Sequence, residues 1–461
     1  MSAPEPVRSN GWRGAPADGP FSSRAGRWGV GVIEQQPVRP LAPVPHDPWN
    51  WRHPDVGWGL LLAHREDGHP ADLAAARDAP EPLQALVAAR GPAPVLRWDP
   101  ARPDVLLRHY PDFAEPETIP IGGTPRGVAP GAVPVFLMLW GDLTGLPWEL
   151  QFRLNLDPRI CAGRLPLLGD ALARYVAALL GEWDAPAPSR AQALVWATDH
   201  GPRDITRLMR TVVADEVARR YEDDADIDVV RRSGSAATAA ALATDLAAGR
   251  PRMVVTTSHG FTGPSGAPDR ERLGWLVDAE HAGTDPAGLL AGWAPDGAVW
   301  YAHACCGAGT TAPTAFRGLF DAGSDLDRMV TEIAALGSLV APLPVALLSA
   351  PKPLRAFVGH VEPTYDWTIR HGPSQHALTA DLVTGLYTDV MLGRPIAWAV
   401  KAHHSRAGAD AAEHDGAREE VLVGRADADR ALRPRLSYLD RRSLVVLGDP
   451  AAALPSTATG G

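Results

Sequence analysis

Two short motifs of this sequence pair a reactive side chain with glycine at the end of an apolar segment. The segment RMVVTTS runs into His259 and Gly260, and AVWYAHA runs into Cys305, Cys306 and Gly307. A thiol becomes a strong nucleophile when it loses its proton, and an imidazole within hydrogen-bond reach can accept that proton. A glycine leaves room for a backbone N–H to approach a carbonyl oxygen. The motifs therefore indicate nucleophilic attack on a carbonyl carbon, with Gly260 as a donor to the developing oxyanion.

Both apolar segments are predicted to be buried strands of one parallel sheet. His259 and Cys305 are separated by 46 positions, which is enough for a loop and one crossover helix between neighbouring parallel strands. Ligands of such sheets bind at the carboxyl ends of the strands, which share one edge. If the two strands are neighbours, the imidazole and the thiol lie at that edge and can meet.

Strand and helix patterns alternate regularly from Ala193 onward. Alternation of this kind predicts an α/β fold with a mostly parallel sheet and helices on both faces. The predicted strands are ALVWAT (193–198), IDVV (227–230), RMVVTTS (252–258), AVWYAHA (298–304), SLVAPLPVALL (338–348) and SLVVLGD (443–449).

Composition divides the chain into four predicted parts. Residues 1–50 are rich in Pro, Gly and Arg with little periodicity, which predicts a flexible or draped arm. Residues 51–188 are predicted to form an N-terminal α/β subdomain that ends in the Pro-rich stretch 184–190. Residues 189–455 are predicted to form the subdomain that carries the two motifs, and 456–461 a disordered tail.

The overall composition excludes several classes of protein. The 461 residues carry a net charge of −10 and no concentrated basic stripe, which argues against a nucleic-acid partner. No signal peptide and no run of about 18 apolar residues is recognisable, so no membrane partner is expected. The three cysteines, Cys161, Cys305 and Cys306, are too few for a disulfide framework. These features predict a cytoplasmic protein.

Taken together, the motifs resemble the catalytic signature of the caspase-like cysteine peptidases, which include caspases, gingipains, clostripain, legumain and CHAT domains. SHG (258–260) is followed about 50 residues later by A-C-x-G (304–307), in the order and spacing of that group. The gingipain-like branch is the most similar, because SLVVLGDPA (443–451) resembles the Gly-Asp-Pro ending of its catalytic subdomain. FLMLWGDLTGLPWELQF (136–152) resembles the start of its pseudo-caspase subdomain. The resemblance covers about residues 130–455.

The resemblance implies a caspase-haemoglobinase-like fold, a three-layer α/β/α sandwich preceded by a pseudo-caspase-like subdomain. It implies that Cys305 is the nucleophile and His259 the base, and that the amides of Gly260 and Cys305 form the oxyanion hole. The implied reaction is hydrolysis of a peptide bond through a thioester acyl-enzyme, without a metal or an organic cofactor. A protein or peptide substrate is expected. The protein would be a regulated intracellular bacterial endopeptidase that acts as a stress or defence effector, and an activator or regulatory partner would suit that role. No third catalytic residue is recognisable in the sequence.

The loop TDHGPRD (198–204) is predicted, by the same resemblance, to contact the substrate residue before the scissile bond. In this loop Asp199 would favour a basic substrate residue, whereas Arg203 would favour an acidic one. Each side chain is also typical of a helix cap or an exposed surface.

A second wall of the substrate pocket is predicted in GHVEPTYDW (359–367). Tyr365 and Trp367 would stack on a long side chain, and Glu362 or Asp366 would supply a negative charge. We expect a preference for a basic or small substrate residue.

Two other interpretations remain open. The first is a non-catalytic caspase-like module that binds peptides or partners. The presence of both His259 and Cys305 counts against it, because packing alone does not require that pair. The second is a zinc site formed by His259, His303, Cys305 and Cys306, although the usual C-x₂-C spacing is absent. Without zinc, Cys306 is expected to pack on the opposite face of its strand, and His303 to be a core residue or a neighbour of the site.

Overall fold

The computed structural model of the chain describes residues 7–12, 16–19, 46–181, 183, 191–371, 374 and 376–455. Its strands are β1 (Val7–Trp12), β2 (Pro16–Gly19), β3 (Trp58–Ala63), β4 (Val95–Trp98), β5 (Val105–Arg108), β6 (Glu117–Pro120), β7 (Phe136–Leu139), β8 (Cys161–Arg164), β9 (Ala191–Ala197), β10 (Ile227–Ser233), β11 (Met253–Thr257), β12 (Val299–His303), β13 (Gly309–Thr310), β14 (Leu339–Val340), β15 (Ala356–His360) and β16 (Leu444–Gly448).

The helices follow the same order along the chain. The α-helices are α1 (Pro70–Ala74), α2 (Glu81–Ala89), α3 (Trp148–Leu156), α4 (Gly169–Leu180), α5 (Ile205–Met209), α6 (Asp215–Glu222), α7 (Ala239–Gly249), α8 (Pro286–Gly292), α9 (Asp325–Ala335), α10 (Pro342–Leu348), α11 (Ala380–Thr384), α12 (Ile396–Ala399), α13 (Lys401–Leu422) and α14 (Asp429–Arg442). Four short elements have other helical geometries: the π-helical turns Arg210–Ala214 and Gly385–Asp389, and the 3₁₀ turns Gly234–Ala236 and Asp366–Thr368.

A twelve-stranded sheet dominates the described residues from Pro48 onward, which form one compact unit. The strand order is β10-β9-β11-β12-β15-β16-β8-β7-β3-β4-β5-β6. Neighbouring strands of this sheet run parallel except in the pairs β15–β16, β4–β5 and β5–β6. The predicted α/β class with a mostly parallel sheet is therefore confirmed.

Both faces of the sheet are covered by apolar side chains. In β3, Leu60 and Leu62 belong to one buried cluster and Leu61 to another, as the alternation of side chains along a strand requires. Helix α4 contributes residues to the first cluster, and Leu150 and Leu154 of α3 contribute to the second. Helices thus lie against both sides of the sheet, an arrangement compatible with three layers.

One sheet extends through both of the predicted subdomains. The last strand, β16, lies between β15 and β8 and joins the C-terminal strands to the N-terminal ones. Asp449, directly after β16, strengthens this junction: its carboxylate accepts a hydrogen bond from Trp58 Nε1 at 2.8 Å and pairs with Arg90 at 2.5 Å. The Gly-Asp-Pro turn is therefore an architectural element that ties the two halves together.

The segment 338–348 differs from its prediction as a strand. Only Leu339–Val340 is extended, and Pro342–Leu348 forms α10, because a proline in the first helical turn has the φ that a helix start requires. The sheet strand that follows β12 is instead β15, with the sequence AFVGH. Its short apolar run contains glycine and histidine and gives only a weak strand pattern.

The region before Pro48 is a separate unit. In it, β1 and β2 pair as an antiparallel hairpin, with Val7 opposite Gly19. The rest of the predicted arm up to position 45, the boundary stretch 184–190 and the tail 456–461 lie outside the described residues. Among the helices that are described, none has both the length and the apolar character needed to cross a bilayer.

Candidate active site

The candidate active site lies where strands β11 and β12 end. The two strands are parallel neighbours, and their register pairs Thr257 with His303. His259 and Cys305 each follow two residues later, so the predicted placement of both at one edge of the sheet is confirmed. The side chain of His259 is 38% exposed, and Cys305 is half-buried. The imidazole can therefore be reached from solvent.

Two glycines pack against the backbone of the cysteine pair. A Cβ atom on Gly260 would lie 1.8 Å from the carbonyl oxygen of Cys305. A Cβ atom on Gly274 would lie 2.3 Å from the carbonyl oxygen of Cys306, and Gly274 also has a φ of +74°. The backbone of the turn after β12 can lie this close to Gly260 and Gly274 only because neither position carries a side chain. Gly274 gave no signal in the sequence, where it is one of 45 glycines.

The backbone N–H groups of Gly260 and Cys305 lie on either side of the turn that carries the thiol. The next amide along the chain, that of Cys306, is engaged and donates to the carbonyl of Glu362 at 2.9 Å. By contrast, neither Gly260 N nor Cys305 N donates a hydrogen bond to another residue in the described part of the chain. N–H donors beside a thiol are what an oxyanion requires.

The thiol of Cys305 is held by the segment after β15. Its Sγ donates to the carbonyl oxygen of Thr364 at 3.6 Å and accepts from Thr364 N at 3.4 Å. Desolvation raises the pKa of this thiol to about 11, and the hydrogen bond from Thr364 N opposes the shift only in part. The thiol is therefore protonated at neutral pH. The resting group is a thiol, and no hydrogen bond joins it to the described His259.

The imidazole of His259 is oriented by Asp204, a residue that the sequence did not single out. His259 Nε2 lies 2.9 Å from Asp204 Oδ2. The other carboxylate oxygen caps α5, because it accepts from the backbone N of Thr206 at 2.8 Å and from the Thr206 hydroxyl at 2.5 Å. Burial acts to raise the pKa of Asp204, but the hydrogen bonds from Thr206 and His259 outweigh it and lower this pKa.

The ionisation of Asp204 fixes the tautomer of His259. An ionised carboxylate can only accept hydrogen bonds, so Nε2 of His259 carries the hydrogen and Nδ1 keeps a lone pair. Nδ1 is thus the ring atom that can take a proton from a thiol. In the sequence, an aspartate before a helical pattern indicates a cap, and nothing local shows that its second oxygen reaches an imidazole 55 positions away.

Cys306 and His303 are packed inside the protein, as predicted. Cys306 is fully buried among apolar side chains, and its φ of +55° places it in a turn instead of on the alternating face of a strand. His303 is 2% exposed, and its Nδ1 lies 2.7 Å from the hydroxyl of Tyr301. The zinc site that would combine these two residues with His259 and Cys305 is wrong, because the four ligand atoms do not converge.

The two charged residues predicted to read the substrate in the loop 198–204 have different environments. Asp199 pairs with Arg210 at 3.3 Å and accepts from Gly201 N at 2.9 Å, so it fixes the loop. Arg203 is exposed and forms no ion pair with another described residue. The role of either residue in substrate selection stays a prediction.

The loop after β15 brings aromatic rings close to the thiol. Tyr365 directly follows Thr364, which binds Cys305 Sγ, and its ring stacks on Trp367 with a centroid distance of 4.2 Å. The ring of Phe316 meets Tyr365 edge-on at 5.1 Å. Tyr365 and Trp367 are half-buried. Their contact with a substrate side chain stays a prediction.

Glu362, the other predicted pocket residue, lies beneath the cysteine turn. Its side chain is only 3% exposed, and its carboxylate accepts from Ala315 N at 3.3 Å. Burial raises the pKa of Glu362, and the hydrogen bonds to the carboxylate counteract this only in part. Because its backbone carbonyl also accepts from Cys306 N, Glu362 supports the turn from the protein interior.

A cleft of about 520 Å³ lies at the opposite ends of the same strands. It is bordered by Arg252 before β11, Ala298 before β12 and Arg355 before β15, with Trp183 and Trp293 among its walls. Its described lining contains neither cysteine nor histidine. The chemistry of thiol and imidazole is therefore separate from this cleft.

The fold and this site define an α/β protein that carries a thiol, an imidazole and a carboxylate at one edge of a mostly parallel sheet. No model of a known protein family matches the chain, and no curated protein is significantly similar to it.

Proposed function

We propose that this protein is a cysteine endopeptidase of caspase-like, three-layer fold, similar to the gingipain branch in its arrangement of subdomains. The observation that carries the proposal is the position of Cys305 and His259, each two residues past the end of neighbouring parallel strands, with the backbone N–H groups of Gly260 and Cys305 beside them. The Asp204 carboxylate also supports the proposal, because it holds the imidazole of His259 in a way that packing alone does not require. A nucleophile, a base and an oxyanion hole together suit acyl transfer.

In the proposed reaction, the peptide carbonyl binds with its oxygen between Gly260 N–H and Cys305 N–H. Cys305 Sγ transfers its proton to His259 Nδ1 and forms a bond to the carbonyl carbon, and the carbonyl oxygen becomes an oxyanion. The imidazolium, held by Asp204 at 2.9 Å, then gives its proton to the leaving amine as the C–N bond breaks. Water, activated by His259, hydrolyses the thioester and restores the thiol.

The resting contacts of the thiol support a regulated enzyme. Cys305 Sγ is bonded to the backbone of Thr364, and its raised pKa keeps it protonated. The thiol must leave Thr364 and approach His259 Nδ1 before the reaction can begin. A substrate peptide or an activating partner that moves the segment after β15 would supply that step.

The proposed place of action is a reducing compartment, such as the cytoplasm of a bacterium. All three cysteines are unpaired, and Cys161 and Cys306 are buried. A thiol that must remain free for catalysis is best preserved where disulfides do not persist.

A peptide probe with a thiol-reactive acyloxymethyl ketone tests the proposal. We expect the intact chain, with a library of such probes differing in the residue next to the ketone, to be labelled at Cys305. Mass spectrometry of the digested protein identifies the modified cysteine among the three. His259→Ala is expected to reduce the rate of labelling by about 10²- to 10⁴-fold, because the thiol loses its base.

The binding-module interpretation predicts a different result from the same probes. A module that only binds peptides would show saturable binding of unreactive peptides but equal, slow labelling with and without His259. Labelling that His259→Ala leaves unchanged would therefore contradict the peptidase and favour the module.

Replacing Asp204 separates a positioning role from a purely structural one. Asp204→Asn keeps the size of the side chain but removes the charge that stabilises the imidazolium, so kcat is expected to fall about 10- to 100-fold with KM little changed. Asp204→Glu is expected to restore part of the loss. Steady-state kinetics on a cleaved peptide measures both constants. A change confined to KM, or to the unfolding temperature, would contradict the role of Asp204 in the reaction.

A further inference from the structure

A second histidine, His200, lies beside the His259–Asp204 pair and has no part in the reaction proposed above. The rings of His200 and His259 are stacked, with centroids 5.4 Å apart. One potential ligand atom from each of His200, Asp204 and His259 lies within 4.8 Å of the other two. Two imidazole nitrogens and one carboxylate oxygen form a ligand set that suits Zn²⁺.

His200 is held in the tautomer that a metal ligand needs. Its Nε2 lies 2.9 Å from the backbone carbonyl oxygen of Asp278. A carbonyl can only accept, so Nε2 donates its hydrogen and Nδ1 keeps a lone pair. Metal-binding histidines usually donate their second ring N–H to a carbonyl or carboxylate in this way, which fixes the orientation of the ring.

The carbonyl that orients His200 belongs to a rigid turn. Asp278 is 2% exposed, and its carboxylate accepts from the backbone N of Glu280 and of Ala282, both at 2.9 Å. The same carboxylate also accepts from Ala239 N at 2.8 Å, which anchors the turn to the start of α7. The hydrogen-bond partner of His200 is therefore fixed by three bonds of its own.

The three ligands are also fixed relative to one another. His200 N donates to the Thr206 hydroxyl oxygen at 3.0 Å, and that hydroxyl donates to Asp204. One loop thus presents His200 and Asp204 together, and His259 follows the adjacent strand β11. The side chains of His259 and Asp204 are 38% and 29% exposed, so an ion can enter from solvent.

We propose that His200, Asp204 and His259 form a Zn²⁺ site that switches the peptidase off. Zn²⁺ accepts electron pairs from His200 Nδ1, His259 Nε2 and a carboxylate oxygen of Asp204, and water completes the coordination. The hydrogen on His259 Nε2 moves through solvent to Nδ1, so the imidazole changes tautomer and no net proton is released. Nδ1 then has no lone pair and cannot accept the proton of Cys305. The inhibition rests on the proposed function, whereas the binding of Zn²⁺ does not.

Titration of the intact chain with Zn²⁺ in an isothermal calorimeter tests the site itself. We expect Zn²⁺ to bind at this site, and His200→Ala and Asp204→Asn each to weaken that binding at least about 10-fold. His281→Ala is the matched control, because its ring stacks on His200 at 4.3 Å but lies outside the ligand set. X-ray absorption should show nitrogen and oxygen ligands without sulfur. A Zn–S bond, or unchanged affinity in both ligand variants, would overturn the site.

Two ligand variants keep the test decisive if one of them fails to fold, and thermal unfolding of each metal-free variant checks this. In the intact chain, the rate of probe labelling at Cys305 should fall as Zn²⁺ is added and return with a chelator. His281→Ala should respond in the same way, and His200→Ala should need at least about 10-fold more Zn²⁺. Labelling that is unaffected, or accelerated, by bound Zn²⁺ would overturn the switch.

The two proposals fail in different ways. Normal labelling of Cys305 without any binding of Zn²⁺ contradicts the metal site and leaves the peptidase intact. Binding of Zn²⁺ by nitrogen and oxygen ligands, without labelling of Cys305 under any condition, contradicts the peptidase and the switch together.

Discussion

Cys305→Ala is expected to abolish peptide hydrolysis, lowering kcat/KM by at least about 10⁴-fold. The thiol is the only group in the proposed reaction that forms a bond to the substrate carbon, so no neighbouring residue can replace it. The fold should tolerate the change, because Cys305 is half-buried and its loss should cost about 1 kcal/mol or less of unfolding free energy. Kinetics with a fluorogenic peptide and thermal unfolding measure the two effects separately.

Cys306→Ala is the matched control, since it removes the same atom from the next position. Cys306 is fully buried and packs among apolar side chains, so its truncation should lower the unfolding free energy by about 1 kcal/mol. We expect its kcat/KM to stay within about 10-fold of that of the unmodified chain. If hydrolysis is lost with Cys306→Ala and kept with Cys305→Ala, the nucleophile has been assigned to the wrong cysteine.

The sequence predicted the strands of the site because their patterns are local. RMVVTTS and AVWYAHA are short apolar runs bounded by polar residues and glycine, and each forms a buried strand within one residue of the predicted limits. Neighbouring parallel strands then place His259 and Cys305 at one edge without further information. The placement of these two side chains at neighbouring strand ends can thus be predicted from the order of the amino acids alone.

The rest of the site depends on contacts between distant segments. Asp204 reaches His259 across 55 positions, and Thr364 reaches Cys305 across 59. Neither contact leaves a pattern in its own segment, because a capping aspartate and a loop threonine are common in any α/β protein. The state of the thiol was therefore beyond prediction, since it is set by Thr364 and by desolvation.

The wrong prediction of a strand over 338–348 shows a limit of assigning secondary structure from apolar patterns. An apolar run of this length fits a buried strand and a buried helix equally well, and periodicity alone does not separate them. The two prolines of PLPVALL decide for the helix, because the first occupies the N-terminal turn, where no backbone N–H is needed. Reading that proline as a helix start would have corrected the prediction.

Gly260→Ala is expected to damage both the stability and the activity of the protein. The added Cβ would lie 1.8 Å from the carbonyl oxygen of Cys305 and 2.8 Å from its carbonyl carbon, so the ends of β11 and β12 must move apart. Such overpacking costs about 1–3 kcal/mol of unfolding free energy. A displacement of about 1 Å between the proposed oxyanion donors and the thiol is expected to lower kcat/KM of the proposed reaction by about 10²-fold or more.

Gly249→Ala provides the matched control for this substitution. Gly249 ends helix α7, and no atom lies within 4 Å of the Cβ that alanine would add. Alanine there should leave activity unchanged and stabilise the helix by up to about 1 kcal/mol. Because φ at Gly260 is outside the left-handed region, any harm from Gly260→Ala must come from lost space and not from backbone strain. Full activity and an unchanged unfolding temperature in Gly260→Ala would show that the two strand ends are not packed together, and the oxyanion hole would fail with them.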